Sequence, residues 1–187
     1  MASTESTQKT EIIGFLRALD AKVRRDSTLY IIGGAAVTLA YAPDNRTSDI
    51  DVVQAAEEVV QFGGAGSDLA QEFGVYISPL AEINFSAPKG WKGRCELHEL
   101  GLKNLTVKTA DRYDIILGKV ARLEQPDIED IQAINLNAGI DPDSLIARLN
   151  DNLREIKNSA GYRNNAKLLF EVLGRPIEFR GGRAQFS

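Results

Sequence analysis

The chain is expected to fold as an α+β protein: a small mixed sheet with helices on one face, followed by a C-terminal helical bundle. Three observations predict this. Leu29-Tyr30-Ile31-Ile32 is a short apolar run ending in Gly33-Gly34, as a buried strand does when it turns into a helix. Asp49-Ile50-Asp51-Val52 alternates polar with apolar, so both aspartates point to one face and Ile50 and Val52 to a core. From Thr109 onward the apolar residues recur at helical spacing in successive segments.

The elements follow in order. The polar stretch Met1 to Lys9 is expected to fray. Ile12, Ile13, Phe15, Leu16, Leu19 and Val23 set an amphipathic helix over Glu11 to Arg24. Leu29 to Ile32 is a buried strand, Ala35 to Tyr41 a helix, and Pro43-Asp44-Asn45 a turn. The Asp-x-Asp strand runs to Val53, and Ala55 to Val60 is helical up to a glycine-rich break at Phe62 to Gly66. Ser67-Asp68 then caps a short helix to Phe73.

Val75 to Ile77, Glu82 to Phe85, Cys95 to Leu100 and Leu105 to Val107 read as strands. The turn-rich loop Pro88 to Gly93 between them carries an exposed-looking tryptophan, Trp91, suited to stacking on a base or, more commonly, to being half-buried for packing. Thr109 is the expected N-cap of a helix to Leu123, and Pro126 opens the next, to about Asn137. Ser144 to Lys157 and Arg163 to Leu173 are two more, before a loose Gly- and Arg-rich tail from Gly174. The expected division is a core over residues 1–108 and a helical region over 109–187 packed on it.

The 187 residues carry 43% hydrophobic and 26% charged side chains, the balance of a water-soluble globular protein. A formal net charge of −4 excludes a globally basic nucleic-acid footprint and leaves local patches open. The single cysteine, Cys95, excludes an intrachain disulfide and suits a reducing compartment. No apolar run is long enough to span a bilayer, and the N-terminus has no signal-peptide core, so a cytoplasmic location without membrane contact is expected.

Two carboxylates side by side repel unless a cation lies between them, and hard oxygen donors suit Mg²⁺. Glycines let a backbone approach phosphates, and the start of the next helix offers N–H groups to an anion. Asp49 and Asp51 are therefore candidate metal ligands, and Gly33 and Gly34 a candidate phosphate cradle. The competing reading of the aspartates is a solvated edge strand. Lys119 and Arg122, three apart on a helix, share a face that suits either a phosphate or an ordinary salt-bridged stripe. Asp127 and Asp130 fit helix-start charges pairing with nearby arginines. His98, the one histidine, has no partners at zinc-ligand spacing.

Strand-Gly33-Gly34-helix followed by Arg46-x-Ser48-Asp49-x-Asp51 resembles the nucleotidyltransferase (DNA polymerase β-like) superfamily. It looks most like the small bacterial and phage-associated members that include AbiEii-type toxins. Lys119-x-x-Arg122 followed by Asp127-x-x-Asp130 is similar to the helices that follow the catalytic sheet in those relatives. The resemblance implies NTP as substrate, two Mg²⁺ ions held by Asp49 and Asp51, and nucleotide contacts from Gly33, Gly34, Arg46, Ser48, Lys119 and Arg122. It implies transfer of an NMP to an acceptor hydroxyl on RNA, a protein or a small molecule. A toxin- or defence-associated role, with an antitoxin or other protein partner, follows by the same analogy. It also implies a third acidic residue on a neighbouring strand: Glu82 is the first choice, Glu96 and Glu99 the rivals. The alternative is a catalytically degenerate nucleotide sensor or protein-interaction module of the same fold.

Overall fold

The computed structural model describes residues 8–86, 88–153 and 160–187. They form eight α-helices and seven strands in mixed order, an α+β fold, divided into two compact units. One unit holds the described residues up to Phe85 together with Arg94–Ala110; the other holds those of Ser86–Gly93 and Asp111–Ser187. The short segment Ser86–Gly93 thus groups with the helical part.

The first unit is built on a five-stranded mixed sheet. Its strands are β1 (Ser27–Ile31), β2 (Asp49–Val53), β3 (Tyr76–Leu80), β4 (Glu96–His98) and β5 (Leu105–Thr109), in the order β3-β2-β1-β5-β4. β2 runs antiparallel to β1 and parallel to β3, and β5 runs parallel to β1. The Asp-x-Asp strand is therefore an interior strand, paired on both sides. Ile31, Ile50, Val52, Ile77 and Val107 share one face and are buried.

Helices α1 (Gln8–Lys22), α2 (Gly33–Ala40), α3 (Glu57–Gly63) and α4 (Asp68–Phe73) accompany this sheet. Ile12, Phe15, Leu16 and Leu19 of α1 are fully buried, as the helical spacing predicts. A methyl group placed on Gly63 would lie 3.0 Å from Ile77 and 3.1 Å from Leu19, so α1, α3 and β3 meet closely on the apolar face. Asp20 closes the C-terminal end of α1 against the chain entering β5. Its carboxylate accepts hydrogen bonds from the backbone N–H groups of Lys103 (2.9 Å), Asn104 (2.7 Å) and Leu105 (2.8 Å). Burial acts to raise the Asp20 pKa, but these three donors outweigh it and hold the carboxyl below its ordinary value.

The second unit contains α5 (Arg112–Val120), α6 (Gln125–Ala138), α7 (Pro142–Asn152), α8 (Ala160–Val172) and the strands β6 (Ile177–Arg180) and β7 (Arg183–Phe186). Asp114, fully buried on α5, accepts a 2.8 Å hydrogen bond from Arg148 of α7. Asn165 of α8 donates to the Val120 carbonyl at 2.9 Å. The structure changes five sequence expectations. Glu82–Asn84 is a 3₁₀ turn, so no strand spans Glu82 to Phe85. The Cys95 to Leu100 strand shrinks to Glu96–His98. Asp111, rather than Thr109, caps α5, accepting from the Asp114 N–H at 2.8 Å. Trp91 is buried, at 4% exposure.

The tail is the fifth. It is a β-hairpin whose turn glycines, Gly181 and Gly182, both take positive φ, as a tight two-residue hairpin turn requires. Asn150 fixes it to α7 by accepting from Ala184 N–H (2.7 Å) and donating to Ala184 C=O (3.0 Å). Of the stretch Met1 to Lys9 expected to fray, Gln8 and Lys9 are already part of α1, and residues 1–7 lie outside the described residues, as does the expected end of the α7 helix within 154–159.

Candidate active site

β1 delivers the chain to Gly33 at the start of α2 while β2 brings Asp51 beside it. The Ile32 N–H donates to the Asp51 carbonyl at 3.0 Å, extending the β1–β2 ladder to the glycine turn. Gly33 has φ +65°, and a Cβ there would lie 2.9 Å from Asp51 Oδ2. Both the left-handed backbone and the approach of the carboxylate require glycine at this position. No side chain caps α2 at Ile32, and its first turn contains no acidic residue of its own. Asp51 thus stands against the end of a helix whose N–H groups favour negative charge. Gly34 begins the same turn, and its carbonyl lies 3.0 Å from Thr38 Oγ1. The same hydroxyl is 2.8 Å from the Asn45 carbonyl, so a fully buried threonine fastens the loop that leads into β2.

Asp49 lies two residues along β2 on the same face. Thr47 Oγ1 donates to Asp49 Oδ1 at 3.0 Å, which orients the carboxylate. The Ser48 carbonyl accepts from the Tyr76 N–H at 3.1 Å and sets the register of β3. The Ser48 and Arg46 residues are exposed immediately before the strand.

Register determines what else shares the Asp face, because directly opposed residues of paired strands project to the same side. Asp49 is opposite Tyr76 and Asp51 opposite Ser78 on β3. Tyr30 of β1 is opposite Val53 of β2 and Lys108 of β5, and Lys108 is opposite Leu97 of β4. The paired strand residues of this face therefore include two carboxylates, both on β2, and no third. Glu82 is exposed in the turn after β3. Glu96 is paired with Thr109 on the other face and accepts a 3.0 Å hydrogen bond from the Tyr41 hydroxyl. Glu99 is exposed beyond the end of β4. Among the described residues, no three His, Cys, Asp or Glu side chains are grouped to hold a metal ion.

In the second unit, Lys119 and Arg122 converge on the acidic side chains of α6. Arg122 makes a two-pronged contact with Asp127, Nε to Oδ2 and Nη2 to Oδ1, each at 2.9 Å. Lys119 Nζ lies 3.2 Å from Asp127 Oδ1 and also pairs with Asp130. Asp127 further accepts from the Glu124 N–H at 3.0 Å. Burial acts to raise the Asp127 pKa, yet Arg122, the Glu124 N–H and Lys119 together pull it below its ordinary value. Its side chain is 2% exposed, that of Lys119 11%, and that of Arg122 61%, so Arg122 alone of the three presents much of itself to solvent.

A family model described as "Nucleotidyltransferase of unknown function (DUF6036)" matches residues 10–173. The chain belongs to this nucleotidyltransferase family. No curated protein and no solved structure matches it. The matched stretch of this DUF6036 nucleotidyltransferase contains every candidate site residue named from the sequence. Within the first unit the fold brings Gly33, Gly34, Asp49 and Asp51 to one end of β1 and β2, with Arg46 and Ser48 on the approach. Lys119 and Arg122 are gathered in the second unit around Asp127 and Asp130. Sequence reasoning missed Tyr30, Tyr76, Ser78 and Lys108 on the Asp face. Alternation within β1, β3 and β5 marks a second face, but only the register shows that it is the face of the aspartates.

Proposed function

We propose that this nucleotidyltransferase moves an NMP from an NTP to an acceptor hydroxyl in a Mg²⁺-dependent reaction. One observation carries the reading: two aspartates on one face of an interior strand, with Asp51 pressed against the glycine that opens α2. The donor set fits Mg²⁺, which is commonly held by one or two carboxylates together with substrate phosphates and water. Asp49 and Asp51 would hold the metal, with phosphate oxygens of the nucleotide as further hard donors. When bound, the metal neutralises triphosphate charge and makes an attacking hydroxyl more acidic.

Gly33 and Gly34 let the triphosphate approach the first N–H groups of α2, and Arg46 and Ser48 bind at its flank. Within the second unit, Arg122, from its exposed position, and Lys119 offer positive charge to an anion. The acceptor oxygen bonds to the α-phosphorus as the bond to the β-phosphate oxygen breaks, and pyrophosphate leaves. The acceptor's proton passes to an aspartate or to solvent, since the paired strand residues of the Asp face include no third carboxylate. The acceptor is an RNA, a protein or a small molecule. Likeness to the AbiEii-type group in the Gly-Gly and Asp-x-Asp motifs supports a toxin- or defence-associated role with a cognate protein partner.

That same lack of a third carboxylate favours a second reading, a nucleotide sensor or interaction module that binds without transferring. Incubation with Mg²⁺ and each α-³²P-labelled NTP, with total RNA or cell lysate, separates the two. Label moving to an acceptor, and absent with Asp49→Asn of unchanged fold, supports transfer. An Asp49→Asn protein as active as the wild type overturns it, and binding without transfer in any mixture favours the sensor.

A further inference from the structure

We propose that Lys108 binds a phosphate of the nucleotide from the Asp face of the sheet, with Tyr30 holding its stem. The inference rests on the nucleotide-transfer reading and adds to it a residue from β5. Lys108 is opposite Tyr30 across β5 and β1, and Tyr30 is opposite Val53, two residues along β2 from Asp51. Lys108, Tyr30, Asp49 and Asp51 therefore project to one side. With strands about 4.8 Å apart and a rise of about 3.3 Å per residue, the Lys108 backbone lies about 10 Å across and about 7 Å along from Asp51. The four-carbon stem shortens that gap. A nucleotide anchored at the aspartates extends across the rest.

The ammonium is placed over the Tyr30 ring, 5.9 Å from its centroid, a cation–π contact that restricts the stem. Lys108 is half-buried, and among the described residues no carboxylate pairs with it. This sets it apart from Lys119 and Arg122, whose charges are engaged by Asp127 and Asp130. A partly desolvated cation without a counter-ion gains more from an incoming phosphate than one that must first leave a carboxylate.

Calorimetric titration with the Mg²⁺ complexes of the four α,β-methylene nucleoside triphosphates, and with inorganic tripolyphosphate, tests this. Lys108→Met keeps the apolar stem and removes the charge. Its Kd is expected to rise about 10- to 100-fold for nucleotide and tripolyphosphate alike. Lys108→Arg should restore most of the affinity, while thermal stability stays close to the wild type in both. In transfer assays KM rises and kcat holds. Equal binding by the wild type and Lys108→Met, or equal loss in Lys108→Met and Lys108→Arg, overturns the role of Lys108 and leaves the nucleotide reading standing. No binding by the wild type to any of the four triphosphates overturns both.

Discussion

Gly33 is the residue on which the candidate site turns. Any side chain there meets two penalties, the φ of +65° and a contact at 2.9 Å from Asp51 Oδ2. Gly33→Ala is expected to lose roughly 1–2 kcal/mol from the backbone alone. Displacement of Asp51 should remove transfer activity more completely than that loss explains. Chemical denaturation beside the labelled-NTP assay checks both halves, and an active Gly33→Ala enzyme would show that Asp51 tolerates the shift. Gly33, Gly34, Asp49 and Asp51 were legible in the sequence because their signals are local: a glycine turn after an apolar run, and alternation within one strand. Tyr76, Ser78, Tyr30 and Lys108 were not, because facing the aspartates depends on which strands pair and in what register. Nothing within Val75 to Lys108 states that register.

Among the elements, α1 and the approach to β5 are joined by one carboxylate, and the pH dependence of that joint has a definite sign. Asp20 has a folded pKa below its unfolded value of about 3.9. Its contribution is then fully present above pH 4 and is lost as pH falls through the folded pKa. Asp20→Asn should destabilise the protein by about 2 kcal/mol at pH 7, the scale of hydrogen bonds to a charged group. The gap between variant and wild type should narrow as urea unfolding is repeated toward about pH 3. A gap that is constant or widens with acid would place the effect elsewhere.

Element by element, α1 was readable from helical spacing, β2 from alternation, β1 and α2 from an apolar run broken by glycines, and α6 from the proline at its start; the capping role of Ser67 was readable from its side chain, which accepts from Ala70 N–H at 3.1 Å. The C-terminal hairpin was hidden because four-residue strands are too short to show alternation. Its inner residues, Ile177 and Ala184, reveal themselves only once folded against α7 and α8. Trp91 misled for a similar reason: the turn-forming residues around it suggest exposure, whereas its ring is buried.

For the molecule as a whole, the order of residues along the chain and the division into units disagree. The backbone passes between the units after Phe85, after Gly93 and after Ala110. A cut at any one of these junctions leaves at least one unit missing a piece. The Ser86–Gly93 segment carries Trp91, the sole tryptophan, so nature has placed a single fluorophore in the part of the helical unit that interrupts the sheet unit in sequence. A fragment ending at Ala110 is expected to emit at longer wavelength than the full chain, with Trp91 moved from a buried site into water. Emission unchanged by the truncation would mean that residues before Asp111 suffice to shelter the ring. In the intact protein, the colour of that one indole becomes an intrinsic gauge of whether the interrupting segment is in place.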